Sequence, residues 1–149
     1  MKVKVKKIFN EDTVWTTVVL KSGSEIEFFD ENCRDLSEYI DKELDLLIKI
    51  SFFSIISCKK EKIPLGVSGQ GKEYKINGTY LKDYLIPSSY FSTEHNIQNG
   101  IRGFHGIQTD DGVFLIRPIM RNKGEKVCLD VSRFDLFGGK YKNNKEIFF

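Results

Sequence analysis

Leu44-Asp45-Leu46-Leu47-Ile48-Lys49-Ile50-Ser51-Phe52-Phe53-Ser54-Ile55-Ile56-Ser57-Cys58 decides the fold. Leu44, Leu46, Ile48, Ile50 and Phe52 alternate with Asp45, Leu47, Lys49 and Ser51. That is the period of a strand, whose successive side chains point to opposite faces. A helix here would carry a run of β-branched and aromatic residues with no alanine among them, a poor set of helix formers. The stretch is too short, and with Asp45 and Lys49 too polar, to span a bilayer. It predicts one long strand, bent near Ser51–Ser54.

The same reading extends in both directions. Upstream, Lys2–Phe9 places Val3 and Val5 on one face and Lys2, Lys4 and Lys6 on the other. Thr13–Leu20 and Glu25–Phe29 form a hairpin about Lys21-Ser22-Gly23-Ser24. Asp35 caps one or two helical turns over Leu36–Ile40, with Glu38 at the capping-box position. Downstream, Glu73–Ile86 is a β segment with Asn77-Gly78 as a turn or bulge. Ile101–Gln108, a strand interrupted by Gly103 and Gly106, and Val113–Met120 flank the hairpin turn Thr109-Asp110-Asp111-Gly112, and Lys126–Phe137 is a last strand that Gly138-Gly139 ends. Lys59–Lys72 and Pro87–Gly100 are loops.

Composition agrees. The 149 residues include 12 Phe, 6 Tyr and 1 Trp, with 16 Ile and 9 Val, and no Ala. This excludes a helix bundle, a coiled coil and a helix-flanked parallel sheet. The expected fold is mainly β, a small barrel or two packed antiparallel sheets with at most one short helix, in a single domain over residues 1–149.

Val14–Leu20, the turn Lys21-Ser22-Gly23, Glu25-Ile26-Glu27-Phe28-Phe29 and the long strand from Leu44 together resemble the oligonucleotide/oligosaccharide-binding (OB) barrel. The resemblance covers about the first third of the chain and departs from the pattern in having no clear helix between the third and fourth strands. It implies ligands lying across the face of strands two and three and their flanking loops.

The net charge of +2 is unevenly placed. Glu25–Asp45 carries nine acids against Arg34 and Lys42, a net of −7. Arg117–Lys145 carries eight bases against three acids, a net of +5. Such runs are either solvated faces that complement each other within the fold or surfaces for charged partners. Cys33, Cys58 and Cys128 are odd in number and widely spaced, with no secretory signal before them. Reduced thiols and a cytoplasmic location are therefore expected.

Several motifs invite chemistry. Gly66-Val67-Ser68-Gly69-Gln70-Gly71-Lys72 has the spacing of a phosphate-binding loop. Glu73 stands where that loop needs a hydroxyl, and no helix follows to face a phosphate, so a glycine loop is the better reading. His105, between Gly103 and Gly106, with Asp110 nearby, is the candidate for a small hydrolase-type site, but no nucleophile–base–orienter set follows from the spacing. Cys128, between Val127 and Leu129, has the setting of a buried, inert thiol. No metal-ligand spacing is present, and no metal, cofactor or membrane partner is expected.

Two binding readings remain. Glu25, Glu27, Phe29 and Asp30 belong to an acidic segment, with Phe28, Phe29 and Tyr39 as its exposed aromatics, suited to docking on a basic protein. Arg117, Arg121, Lys140, Tyr141 and Lys142 belong to a basic, aromatic half suited to single-stranded nucleic acid. The first reading is a non-enzymatic binding module with a protein partner. Single-stranded nucleic acid is the second, and an enzyme using His105 the third.

Overall fold

The long strand is present as Glu43–Ile56, and it runs antiparallel to a second long strand, Lys126–Tyr141. The structure is a computed structural model that describes residues 1–8, 15–58, 66–68, 73–87, 90, 104–141 and 145–148. Among these the strands are β1 (Lys2–Ile8), β2 (Trp15–Leu20), β3 (Glu25–Phe29), β4 (Glu43–Ile56), β5 (Val67–Ser68), β6 (Tyr74–Leu81), β7 (His105–Thr109), β8 (Gly112–Ile116), β9 (Lys126–Tyr141) and β10 (Lys145–Phe148). The fold is mainly β. The helical element between β3 and β4 is a 3-10 turn, Ser37–Tyr39, and the Asp35 carboxylate accepts the Ser37 N–H at 2.8 Å.

The strands close into two rings that share one wall. In the first, β1 is antiparallel to β2 and β4, β2 is antiparallel to β3, and β3 is parallel to β9 through Phe28↔Phe134 and Phe29↔Asp135. In the second, β4 is parallel to β8 through Lys49↔Leu115 and Ile50↔Ile116, and β8, β7, β6 and β9 follow as antiparallel neighbours. The shared wall is the β4–β9 ladder, from Asp45↔Lys140 to Ile56↔Cys128. The architecture is thus barrel-like. β9 is long enough to meet β6 along Lys126–Val131 and β3 at Phe134 and Asp135 on the same edge.

Alternation produces the core. Val3 and Val5, Val18 and Leu20, and Ile26 and Phe28 turn inward from the first three strands. Each fully buried side chain of this size contributes about 1.5–3 kcal/mol. Phe134 joins the rings, tilted against Phe114 at 5.5 Å and Tyr74 at 5.2 Å. The β2–β3 turn is tied to the β7–β8 turn, because the Asp111 carboxylate accepts the Ser22 N–H at 2.7 Å and hydroxyl at 2.9 Å.

Four expectations are corrected. Asn77-Gly78 is neither turn nor bulge, since β6 pairs with β9 without a register shift from Tyr74 to Thr79. Gly78 serves close packing: a Cβ there would stand 2.6 Å from the Gln108 carbonyl and collide with Ile107. Gly138-Gly139 does not end the last strand, which continues to Tyr141. A Cβ on Gly139 would meet the Asp45 carbonyl at 2.9 Å, so glycine lets β9 pass close to β4. β8 stops at Ile116, just before Arg117-Pro118, instead of reaching Met120; proline has no N–H to add to a ladder. Cys58 and Cys128 are disulfide-bonded, contrary to the reduced thiols expected, because the Ile56↔Cys128 register carries Cys58 back beside β9. Cys33 is free and exposed.

Among the described residues no helix is long and apolar enough to cross a membrane. The Gly69–Lys72 part of the glycine loop and most of Pro87–Gly100 lie outside the described residues.

Candidate functional site

The outward faces of β2, β3, β9 and β4 form a row of rings and one guanidinium. Period-2 alternation turns Trp15 outward from β2 and Phe29 outward from β3, where they are register partners. Their rings meet edge-to-face at 5.3 Å. On β9, Arg133 and Asp135 share the outward face on either side of buried Phe134. The Arg133 guanidinium carbon lies 4.2 Å from the Phe29 ring centroid and 5.4 Å from that of Phe52 on β4. Phe52 is 57% exposed.

A register irregularity between β4 and β9 builds this arrangement. Ile50 pairs with Phe134, Phe52 with Arg133 and Phe53 with Val131, so the ladder skips Ser51 on β4 and Ser132 on β9. The irregularity brings Phe52 outward opposite Arg133, and Ser51 becomes a donor to Asp135. The Asp135 carboxylate also accepts the Arg133 Nε–H at 2.6 Å. Arginine flanked by two rings and anchored at Nε has little rotamer freedom left, and cation–π contacts of this kind contribute about 0.5–2 kcal/mol each.

Beside this row a cleft of about 570 Å³ opens at the start of β6. Its walls are Phe52, Phe53 and Ser54 of β4, Glu73, Tyr74 and Lys75, and Asp130, Val131 and Ser132 of β9. It sits where the edge of β9 passes from β6 to β3. Tyr74 spans that junction, its hydroxyl accepting the Glu27 N–H at 3.0 Å. Burial pushes the Tyr74 phenol above its ordinary value; the hydrogen bond from Glu27 opposes this and the Glu27 carboxylate adds to it. The phenol therefore stays neutral at physiological pH. Lys75 pairs with Asp130 at 3.1 Å on the rim, and Arg117 lies 5.1 Å from the Phe53 ring.

The sequence-predicted residues fall in several places. Glu25, Glu27 and Phe29 share the outward face of β3, and Phe29 and Arg117 belong to the aromatic surface. Asp30 does not face a partner. It is buried, and its carboxylate accepts the Asn32 and Arg34 N–H groups at 3.0 Å each, folding its own loop. Phe28 and Tyr39, expected to be exposed, are buried as well. Arg121 lies 3.9 Å from Glu125 on a separate turn. Lys140 lies 4.8 Å from the Tyr90 ring, and Tyr141 packs edge-to-face on Tyr39 at 5.3 Å, at the far end of β9. Lys142 lies outside the described residues.

Much of the acidic run is answered within the fold. Lys6 pairs with Glu25, Lys4 with Asp41 at 3.5 Å and Lys2 with Glu43 at 3.2 Å. Asp45 meets the Met1 amino group at 3.1 Å and accepts the Tyr90 hydroxyl. Burial raises the Asp45 carboxyl, but the Tyr90 hydrogen bond, the amino group and Lys140 outweigh it and hold it below its ordinary value.

His105 and Asp110 are not brought together. His105 opens β7, buried, with Nδ1 hydrogen-bonded to the Tyr80 hydroxyl and Nε2 3.7 Å from Asp83. Asp110 is exposed in the turn after the other end of β7. Among the described residues no group of three or more His, Cys, Asp or Glu side chains is placed to hold a metal ion.

Sequence reasoning misses Trp15, Phe52, Tyr74 and the pairing of Arg133 with Asp135. Parity would have found Trp15, which alternates outward with Thr17 and Val19. Phe52 escapes parity because the bulge reverses its face. Compared with known proteins, the chain matches no family model, no curated protein and no solved structure.

Proposed function

We propose that the chain is a non-enzymatic binding module that engages a protein partner through the face made by Phe29, Arg133, Phe52 and the adjoining cleft. One observation carries the reading: Arg133 is held ready on the surface between Phe29 and an exposed Phe52. Aromatic residues and arginine are enriched at protein interfaces, whereas lysine and the acids are depleted. Most of the binding energy of an interface comes from a few such side chains. Glu25 and Glu27 lie beside this face on β3, so the acidic segment contributes a rim and not the centre.

Single-stranded nucleic acid is the second reading. The row from Trp15 to Phe52 offers ring faces for bases. A five-stranded closed ring containing the β2–β3 face supports the resemblance to an OB barrel. Charge favours the protein. Arg133 is paired with Asp135 and Lys75 with Asp130, which leaves little surplus cation for successive phosphates.

A photo-crosslinking residue at position 52, with one at exposed Met120 as control, tests the proposal in extracts of the native cells. The expected result is a discrete protein adduct from position 52 alone, lost with Arg133→Ala. A nuclease-sensitive adduct, the same adducts from both positions, or none from position 52 would overturn it.

A further inference from the structure

We infer that Arg133 is a carboxylate receptor, and that the partner presents an aspartate or glutamate side chain to it with a neighbouring apolar side chain in the Phe52–Phe53–Tyr74 cleft. This rests on the proposed function and specifies the chemistry of the partner.

A guanidinium has five N–H donors in a planar fork. In Arg133 one of them, at Nε, is taken by Asp135 at 2.6 Å. Phe29 and Phe52, on the strands either side of β9, flank the group. Among the described residues no hydrogen bond satisfies the four N–H groups on Nη1 and Nη2, and the side chain is 28% exposed. The end of the fork therefore faces outward, already oriented. It matches a ligand with two coplanar acceptor oxygens, and such bidentate pairs are among the strong hydrogen bonds of proteins.

The surroundings choose among oxyanions. Asp135 and Asp130 stand on the same surface, and Glu27 is nearby on β3. Their repulsion disfavours a chain of phosphates. A single carboxylate on the fork gains the bidentate contact while the rest of the partner stays clear of these acids. The cleft beside Phe52 is lined by Phe52, Phe53, Tyr74 and Val131 together with Ser54, Ser132, Glu73, Lys75 and Asp130, so an apolar side chain next to that carboxylate has the rings to pack on within a polar rim.

Selection of a displayed random heptapeptide library on the full chain tests this. The recovered peptides should carry Asp or Glu beside an apolar residue. Changing that acid to its amide should weaken binding at least tenfold, as should Arg133→Lys, which keeps the charge but loses the fork. In the unsubstituted chain, the Arg133 Nε–H resonance should shift on addition of the selected peptide, a readout independent of how any variant folds. Peptides that need Phe52 but neither an acid nor Arg133, or an unmoved Arg133 resonance, would overturn the carboxylate assignment and leave the binding face standing. Displacement of the peptide by oligothymidylate at 0.15 M salt would reassign the fork to phosphate and overturn the assignment. A selection with no Phe52-dependent peptide would overturn the proposed function and this inference together.

Discussion

Tyr74 of β6 reaches β3 through a single atom, its hydroxyl oxygen. Its ring packs on Phe134 while its hydroxyl accepts the Glu27 N–H from β3. Tyr74→Phe keeps the packing and leaves that N–H without its acceptor. A loss of about 1–2 kcal/mol is expected in denaturant unfolding. The emission of Trp15, the only tryptophan, should report any loosening of β3 from β9. Residues such as Tyr74 are the least legible in sequence, because their role depends on a partner 47 positions away. Asp30 shows the reverse error. Among eight other acids it looks like a surface charge, yet the short spacing to Asn32 and Arg34 is that of a side chain folding its own turn. Local chemistry was present there, and the charge run obscured it.

At the scale of elements, alternation located most strands, and Glu25–Phe29 is a strand over its full predicted length. Near Ser51–Ser54, where a bend was expected, the ladder to β9 has a register irregularity at Phe52. Glycine misled twice where it was taken as punctuation. Gly78 and Gly139 lie inside strands because a neighbouring backbone passes too close for a Cβ, and that neighbour is set by tertiary pairing. The disulfide is likewise a product of register. Its 70-residue separation means that it restrains a long loop of the unfolded chain. Cys58→Ser should cost about 2–4 kcal/mol of stability. Thermal melts with and without reductant check this: reductant should lower the unsubstituted midpoint to that of Cys58→Ser, and Cys33→Ser should behave as the unsubstituted chain does.

At the scale of the molecule, part of the charge asymmetry of the sequence is answered within the fold. Lysines of β1 meet acids of the negative run, each exposed pair contributing about 0–1 kcal/mol. Arg133 and Lys75 are answered by acids of β9 itself. A linear count of charge could not show this, because neighbours in a sheet come from distant parts of the chain. The shared β4–β9 wall also bears on cooperativity. Neither ring can lose that wall and remain closed, so the two should unfold together. Denaturation followed by Trp15 fluorescence in the first ring and by the His105 imidazole resonances in the second should give coincident transitions. Separate midpoints would mean two independent units.

The lateness of β9 has a consequence for the order of events at the ribosome. β9 begins at Lys126 and is a wall of both rings. The strands synthesised before it have open edges and no ring to close. Nascent chains of this kind wait with apolar faces and unpaired edges exposed, the state most prone to association with other chains. Ring closure therefore waits for β9: that strand completes two rings at once, and until it pairs, the strands before it depend on whatever shields them.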